Sequence, residues 1–195
     1  MITFSGTENE RSSSFFRRNE LIAHEWETLA ADIHGNAEGQ YNCYLVDINL
    51  LLPDEVGTLK IHGKHQLNSV TSDLFPVDSQ YAGVTSISTY LKSEPAGSFH
   101  IRRSNLINVL SSDDQPYSRN RDYIYMAEDE ALFNTILEDH PYSPKLWELG
   151  LESFSYEQAD GNLTLTVRKF LQDQDEIKDM IDFFKHSCML LSHMD

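Results

Sequence analysis

The sequence predicts an α+β fold: a mostly antiparallel sheet that packs, in two layers, against an N-terminal and a C-terminal amphipathic helix. Three observations predict it. A hairpin of alternating apolar residues lies near the C-terminus, a helix with one apolar stripe follows it, and another amphipathic helix precedes a long strand-rich region. We expect about six to eight strands in the sheet, with the two helices covering it.

The hairpin has the clearest signal. Residues 151–158 alternate so that Phe154 and Tyr156 share one face, and residues 159–162 (Ala-Asp-Gly-Asn) supply turn chemistry. The returning strand also carries its apolar residues on one face, namely Leu163, Leu165 and Val167. Two half-buried antiparallel strands follow from this pattern.

The closing helix is predicted from about Asp173 to His193. Its apolar residues recur at the spacing of one helical stripe: Ile177, Met180, Ile181, Phe184, Cys188 and Leu191. We expect this stripe to face the sheet; if it faces outward instead, the helix becomes an interface for a homo-oligomer. Shorter helices are expected between residues 128 and 150, where Ser143-Pro144 is typical of a helix start and Gly150 of a helix end.

The N-terminal part divides into a tail and a helix. Residues 1–14 are polar and rich in serine and are predicted to be a disordered tail, with residues 15–195 forming a single domain. A helix is predicted from Asn19 to Ile33, with an apolar face that contains Trp26 and with Gly35 as its stop.

Strands are predicted next from alternating apolar residues. They cover Tyr44 to Leu52, Thr58 to His62, Val84 to Leu91 and Phe99 to Arg103, with glycine and proline between them. The order of these segments predicts a meander that requires no parallel pairing.

Charge limits the possible partners. The chain has 15 basic and 31 acidic residues, a net charge of -16, which repels phosphate backbones, so we expect no nucleic-acid partner. The few arginines come in pairs, which ordinarily balance neighbouring acids. The alternative is a small anion site where such pairs converge, with Arg102, Arg103, Arg119 and Arg121 as its candidates.

Residues capable of catalysis or metal binding are sparse. His62 and His65 flank a predicted turn, but two imidazoles do not complete a zinc site. Cys43 and Cys188 both lie in apolar surroundings, which predicts two buried thiols and neither a disulfide framework nor a nucleophile. Phosphate-binding glycine motifs are missing from the sequence, so we expect no cofactor and no metal.

The sequence also lacks an apolar run of the length that spans a bilayer and an apolar signal-peptide core, which predicts no membrane span and a cytoplasmic protein. An acidic cluster, Glu128-Asp129-Glu130, lies where a helix is expected to begin. It is the candidate surface for a basic partner.

The second half of the chain resembles a known family in its pattern. The segment Asp122-Tyr-Ile-Tyr-Met-Ala-Glu-Asp129, the run Ala131 to Leu137, Phe154-Ser-Tyr156 and Asp160-Gly-Asn-Leu-Thr-Leu165 carry the likeness. Over about residues 98–195 the chain resembles the soluble C-terminal domain of a bacterial family of uncharacterised proteins. Members of that family carry membrane spans ahead of this domain, and the resemblance implies no activity.

Two functions remain open. The first is a non-catalytic acidic binding protein that masks a basic protein partner, as toxin-neutralising immunity proteins do. The alternative is an enzyme or small-ligand carrier with a pocket between sheet and helix, whose residues would come from separate strands.

Overall fold

The computed structural model describes residues 1–68, 80–92, 97–103, 123–127 and 148–192. Its strands, in chain order, are β1 (Ile2–Phe4), β2 (Asn36–Tyr41), β3 (Leu45–Asp54), β4 (Gly57–Asn68), β5 (Gln80–Tyr90), β6 (Phe99–Arg103), β7 (Tyr123–Ala127), β8 (Leu151–Glu157) and β9 (Asn162–Val167). The two long helices are α1 (Ser14–Asp32) and α2 (Gln174–Ser192), and a short 3-10 helix covers Glu8–Ser12.

Within these residues the nine strands form one sheet, in the order β1-β2-β3-β4-β5-β9-β8-β6-β7. Every neighbouring pair is antiparallel except β1 and β2, which are parallel. The predicted α+β class with a mostly antiparallel sheet is confirmed. The strand count is higher than expected, and the parallel pair was not foreseen.

Both helices cover the same face of the sheet. Strand register aligns Ile48 with Gly63, Gly63 with Thr85 and Thr85 with Val167, so these residues share that face. The ring of Trp26 in α1 lies over Gly63, and Phe183 in α2 packs edge-on against Phe154 of β8, with ring centroids 5.4 Å apart. The architecture is therefore two layers, one of sheet and one of helices.

Helix α1 begins earlier than predicted. It starts at Ser14, because the Ser13 hydroxyl accepts a hydrogen bond from the Phe15 N–H at 3.2 Å and caps the helix. It ends at Asp32, next to the predicted end at Ile33, and the Gly35 N–H donates to the Ala30 carbonyl at 2.8 Å. The left-handed residue at this end is His34, with φ +57, and not the predicted Gly35.

The prediction of a disordered tail is wrong. Ile2 is buried, and its backbone N–H donates to the Glu27 carboxylate of α1 at 2.8 Å. Phe4 packs edge-on against Phe16, with ring centroids 5.0 Å apart. A three-residue strand has too little local pattern to be recognised, and here it is held by contacts with distant residues.

The C-terminal elements match their predictions closely. Gly161 has φ +63 in the hairpin turn, a conformation that favours glycine, and the apolar residues of β8 and β9 are fully buried. The predicted stripe of α2 is buried throughout, together with Phe183 and Ser187. Because α2 turns this stripe towards its own sheet, a homo-oligomer through α2 would have to use its other sides. The short helices predicted between 128 and 150 lie mostly outside the described residues.

Candidate functional site

The centre of the layer between sheet and helices is closed where the structure describes it. Trp26, Phe154, Phe183 and Phe184 are fully buried there and belong to one apolar cluster. Large rings thus fill the space in which a pocket between sheet and helix would have to form.

The predicted turn around His62 and His65 is wrong, because both residues lie within β4. Their separation of three positions places them on opposite faces of the sheet. The Nε2 atom of His62 lies 2.9 Å from Oδ1 of Asp47 on the outer face, whereas the His65 ring is buried and stacks on Phe170 with centroids 5.4 Å apart. These imidazoles cannot share a ligand. A cluster of three or more His, Cys, Asp or Glu side chains that could hold a metal ion does not occur among the described residues.

His65 is part of the core. Burial lowers its pKa below the ordinary value of 6.5, and the positive charge of Arg18 lowers it further. The imidazole is therefore kept neutral, and its stacking on Phe170 makes it a packing group.

The two cysteines are free and buried, as predicted. The Cys43 thiol donates to the Glu10 carbonyl oxygen at 3.2 Å. Burial, with a smaller contribution from Asp54, raises the pKa of Cys188 to about 12. A thiol held in its protonated form and shielded from solvent is a poor nucleophile.

The outward side of the helix layer is acidic. We call it the acidic helix face and define it by the carboxylates Glu20, Glu25, Asp32, Asp173, Asp175 and Asp182, which are exposed or half-buried. Two nearby lysines are engaged by other acids: Lys169 pairs with Glu176 and Lys185 with Asp54, each at 2.5 Å. The other arginine and lysine residues of α1 and α2 are Arg17, Arg18 and Lys178.

A shallow, open cleft of about 550 Å³ lies where α1 meets the start of α2. Its lining consists of three carboxylates and two amides: Glu25, Gln172, Asp173, Gln174 and Asp175. Gln174 donates to the Glu25 carboxylate at 3.1 Å, and the Asp173 carboxylate accepts from the Asp175 N–H at 2.8 Å. Acids in the first turn of a helix are ordinarily explained by the helix dipole. Glu25 belongs to α1, so the dipole of α2 does not explain why its negative charge lies in this cleft.

The predicted arginine site is only partly visible. Arg102 and Arg103 are consecutive residues of β6, so their side chains point to opposite faces of the sheet. Arg119 and Arg121 lie outside the described residues, as does the predicted partner surface Glu128, Asp129 and Glu130. Both sites stay predictions.

The outer face of strands β3, β4, β5 and β9 is polar. We call it the polar sheet face, defined by Asp47, Asn49, Lys60, His62, Lys64, Ser86, Ser88, Thr164 and Thr166. Solvent reaches it, since the His62 and Asp47 side chains are 39% and 29% exposed. The sequence contained a signal for this face, because Lys60, His62 and Lys64 alternate with Leu59 and Ile61. The turn predicted at Gly63 divided this alternating run, so the polar face of β4 was not predicted.

Comparison of the chain with family models, with curated proteins and with solved structures finds no match. The resemblance over residues 98–195 therefore stays a prediction. Neither α1 nor α2 is apolar enough over its length to cross a membrane, and the same holds for every helix in the described ranges.

Proposed function

We propose that this protein is a non-catalytic binding protein whose acidic helix face holds a basic segment of a protein partner. The observation that carries the proposal is the net charge of -16 together with the carboxylates that α1 and α2 turn outward. An immunity-like role, in which the partner's basic surface is masked, fits this charge.

The cleft between α1 and α2 is the point at which such a partner would anchor. A guanidinium or ammonium group entering it would meet the carboxylates of Glu25, Asp173 and Asp175. Arginine forms bidentate hydrogen bonds with carboxylates, so we expect an arginine side chain to be favoured over lysine there.

The alternative function, an enzyme or carrier with an interlayer pocket, has less support. Rings such as Trp26 and Phe184 fill the centre of the described layer, and the Cys188 thiol is buried with a raised pKa. A binding role needs neither a pocket nor an activated group, which is why it is preferred.

The test compares two charge-reversal variants with the same net charge. Glu25→Lys with Asp175→Lys alters the cleft, whereas Glu38→Lys with Glu55→Lys alters exposed acids on the sheet and on its β3–β4 turn. Asp173 is retained because it caps α2. Binding of an eight-arginine peptide is measured by calorimetry at several salt concentrations.

We expect the cleft variant to bind the peptide roughly tenfold or more weakly than the control variant, with a smaller loss on adding salt. Equal weakening in both variants would show that total charge alone attracts the peptide and would overturn the anchoring role of the cleft. Charge reversal at Glu128 and Glu130 provides the same comparison for the other predicted acidic surface.

A further inference from the structure

Strand β4 carries a row of cationic or titratable residues across the polar sheet face. Lys60, His62 and Lys64 occupy alternate positions and therefore point to the same side, with the two lysine Cα atoms about 13 Å apart. Lys60 also lies over the ring of Tyr90, with Nζ 5.8 Å from the centroid, and Tyr90 is 61% exposed.

These lysines have no carboxylate partner among the described residues, although the chain has 31 acids. Asp47 lies directly opposite Lys64 in the strand register, yet its carboxylate is within bonding distance of His62. Two ammonium groups that have no carboxylate partner in the described part of the chain, on one face of a strongly acidic protein, favour an anionic ligand.

Short polar side chains on neighbouring strands surround the lysines, and we call this group the floor of the face. In one row Asn49, His62, Ser86 and Thr166 are successive cross-strand neighbours. In the next row Lys60 is followed by Ser88 and Thr164. Hydroxyl and amide groups both donate and accept hydrogen bonds, so this floor matches a ligand that carries many hydroxyl groups.

The chemistry of the face argues against two classes of macromolecule. Protein interfaces have apolar and aromatic centres. The middle row of this face, Asn49, His62, Ser86 and Thr166, has no apolar side chain, and the apolar or aromatic residues lie in the rows on either side of it: Leu45, Leu51, Val84 and Tyr90. Nucleic acids require several cations to replace condensed counterions, and two lysines on a protein of net charge -16 do not supply them.

We propose that the polar sheet face binds an acidic oligosaccharide. Lys60 and Lys64 hold its carboxylate or sulfate groups, the hydroxyls of β5 and β9 bind its ring hydroxyls, and Tyr90 stacks on a sugar ring at one end. This face lies on the opposite side of the sheet from the helices. The oligosaccharide proposal can therefore be wrong while the proposed basic partner still binds the acidic helix face.

The experiment follows backbone amide shifts by NMR during titration of the full chain with a galacturonic acid trisaccharide. A galactose trisaccharide of the same linkage is the neutral comparison. We expect saturable shifts at Ser86, Ser88, Thr164 and Thr166 with the acidic sugar at low salt, and binding at least tenfold weaker with the neutral one. Lys60→Gln with Lys64→Gln should weaken acidic-sugar binding to the same extent, whereas Lys178→Gln in the helix layer should leave it unchanged.

A second variant separates hydroxyl recognition from charge. Thr164→Val with Thr166→Val keeps both lysines and should weaken binding roughly fivefold, with the dispersed amide spectrum confirming that the fold is intact. The proposal is overturned by an absence of shifts at millimolar sugar, by equal binding of both sugars, or by indifference to the lysine substitutions. Saturable shifts at the same amides with a polyglutamate peptide and not with the sugar would assign the face to a protein partner instead.

Discussion

Gly63 lies directly beneath the indole ring of Trp26: a β-carbon added to Gly63 would lie 2.6 Å from the Trp26 Cη2 atom and 2.9 Å from the Phe170 Cε2 atom. The glycine that looks like a strand breaker in the sequence is thus the place where α1 approaches the middle of the sheet. Trp26 is held there, since its indole N–H donates to the Leu171 carbonyl at 3.2 Å and its ring stacks on Phe170.

Gly63→Ala should therefore destabilise the protein by about 1 to 3 kcal/mol, because a methyl group has no room in this closed contact. The measurement is urea unfolding followed by tryptophan fluorescence. Lys64→Ala is the matched control at the next position, on the opposite face, and should stay within about 0.5 kcal/mol. Equal stability of the two variants would mean that Trp26 does not pack on this strand.

Phe184→Ala should remove about 3 to 5 kcal/mol from the free energy of unfolding, because the ring is fully buried under α2 and its loss leaves a cavity. Asp182→Ala is the control, since Asp182 is exposed on the same helix and a change there should stay within about 0.5 kcal/mol. Lys185 is less suitable as a control because its Nζ pairs with Asp54 at 2.5 Å. A small effect at Phe184 would indicate that α2 is not docked on the sheet.

Stability should fall on acidification through the range in which free histidine titrates. Burial, and then Arg18, lowers the pKa of His65 below 6.5, and burial followed by Arg102 lowers the pKa of His100, against a smaller opposing effect of Glu157. Below about pH 6.5 the unfolded chain then binds more protons than the folded chain, which favours unfolding.

Urea unfolding between about pH 7.5 and about pH 5.5 measures this effect. His65→Gln should make the free energy of unfolding less dependent on pH over that range, whatever it does to the stability itself. An unchanged slope would show that His65 is not kept neutral by the fold.

The two thiols should react with a disulfide reagent only after the protein unfolds. Both are buried, and the pKa of Cys188 is raised to about 12, so the reactive thiolate is scarce in the folded state. Absorbance of the released thiolate should report little reaction in buffer and two equivalents in denaturant. Rapid reaction of either thiol in the folded protein would contradict its burial.

The correct predictions were those that depend on local periodicity in the sequence. The alternation in residues 151–167 and the stripe of α2 depend on neighbours a few positions apart, and each pattern has one favourable solution against an apolar core. Gly161 was also predicted correctly from local sequence, because the turn that joins β8 to β9 requires a positive φ at this position.

Strands with little apolar content were missed for the opposite reason. The segment β2 (Asn36–Tyr41) buries only Ala37 fully, and it is a strand because β3 pairs with it along its whole length. Strand β1 depends likewise on β2 and on Glu27 of α1. Such pairing joins residues far apart in the chain and leaves no periodic trace in either segment alone.

The sequence alone determined that this protein is an acidic α+β chain with buried thiols, a C-terminal hairpin and two amphipathic helices. These features follow from composition and short-range periodicity, which are properties of the sequence itself. Tertiary structure decided which groups meet: Asp47 with His62, Glu25 with the start of α2, and Trp26 with Gly63 of β4. The physical reason is strand register and layer packing, which set the distance between residues that the chain separates and so decide which charges, hydroxyls and rings share a face.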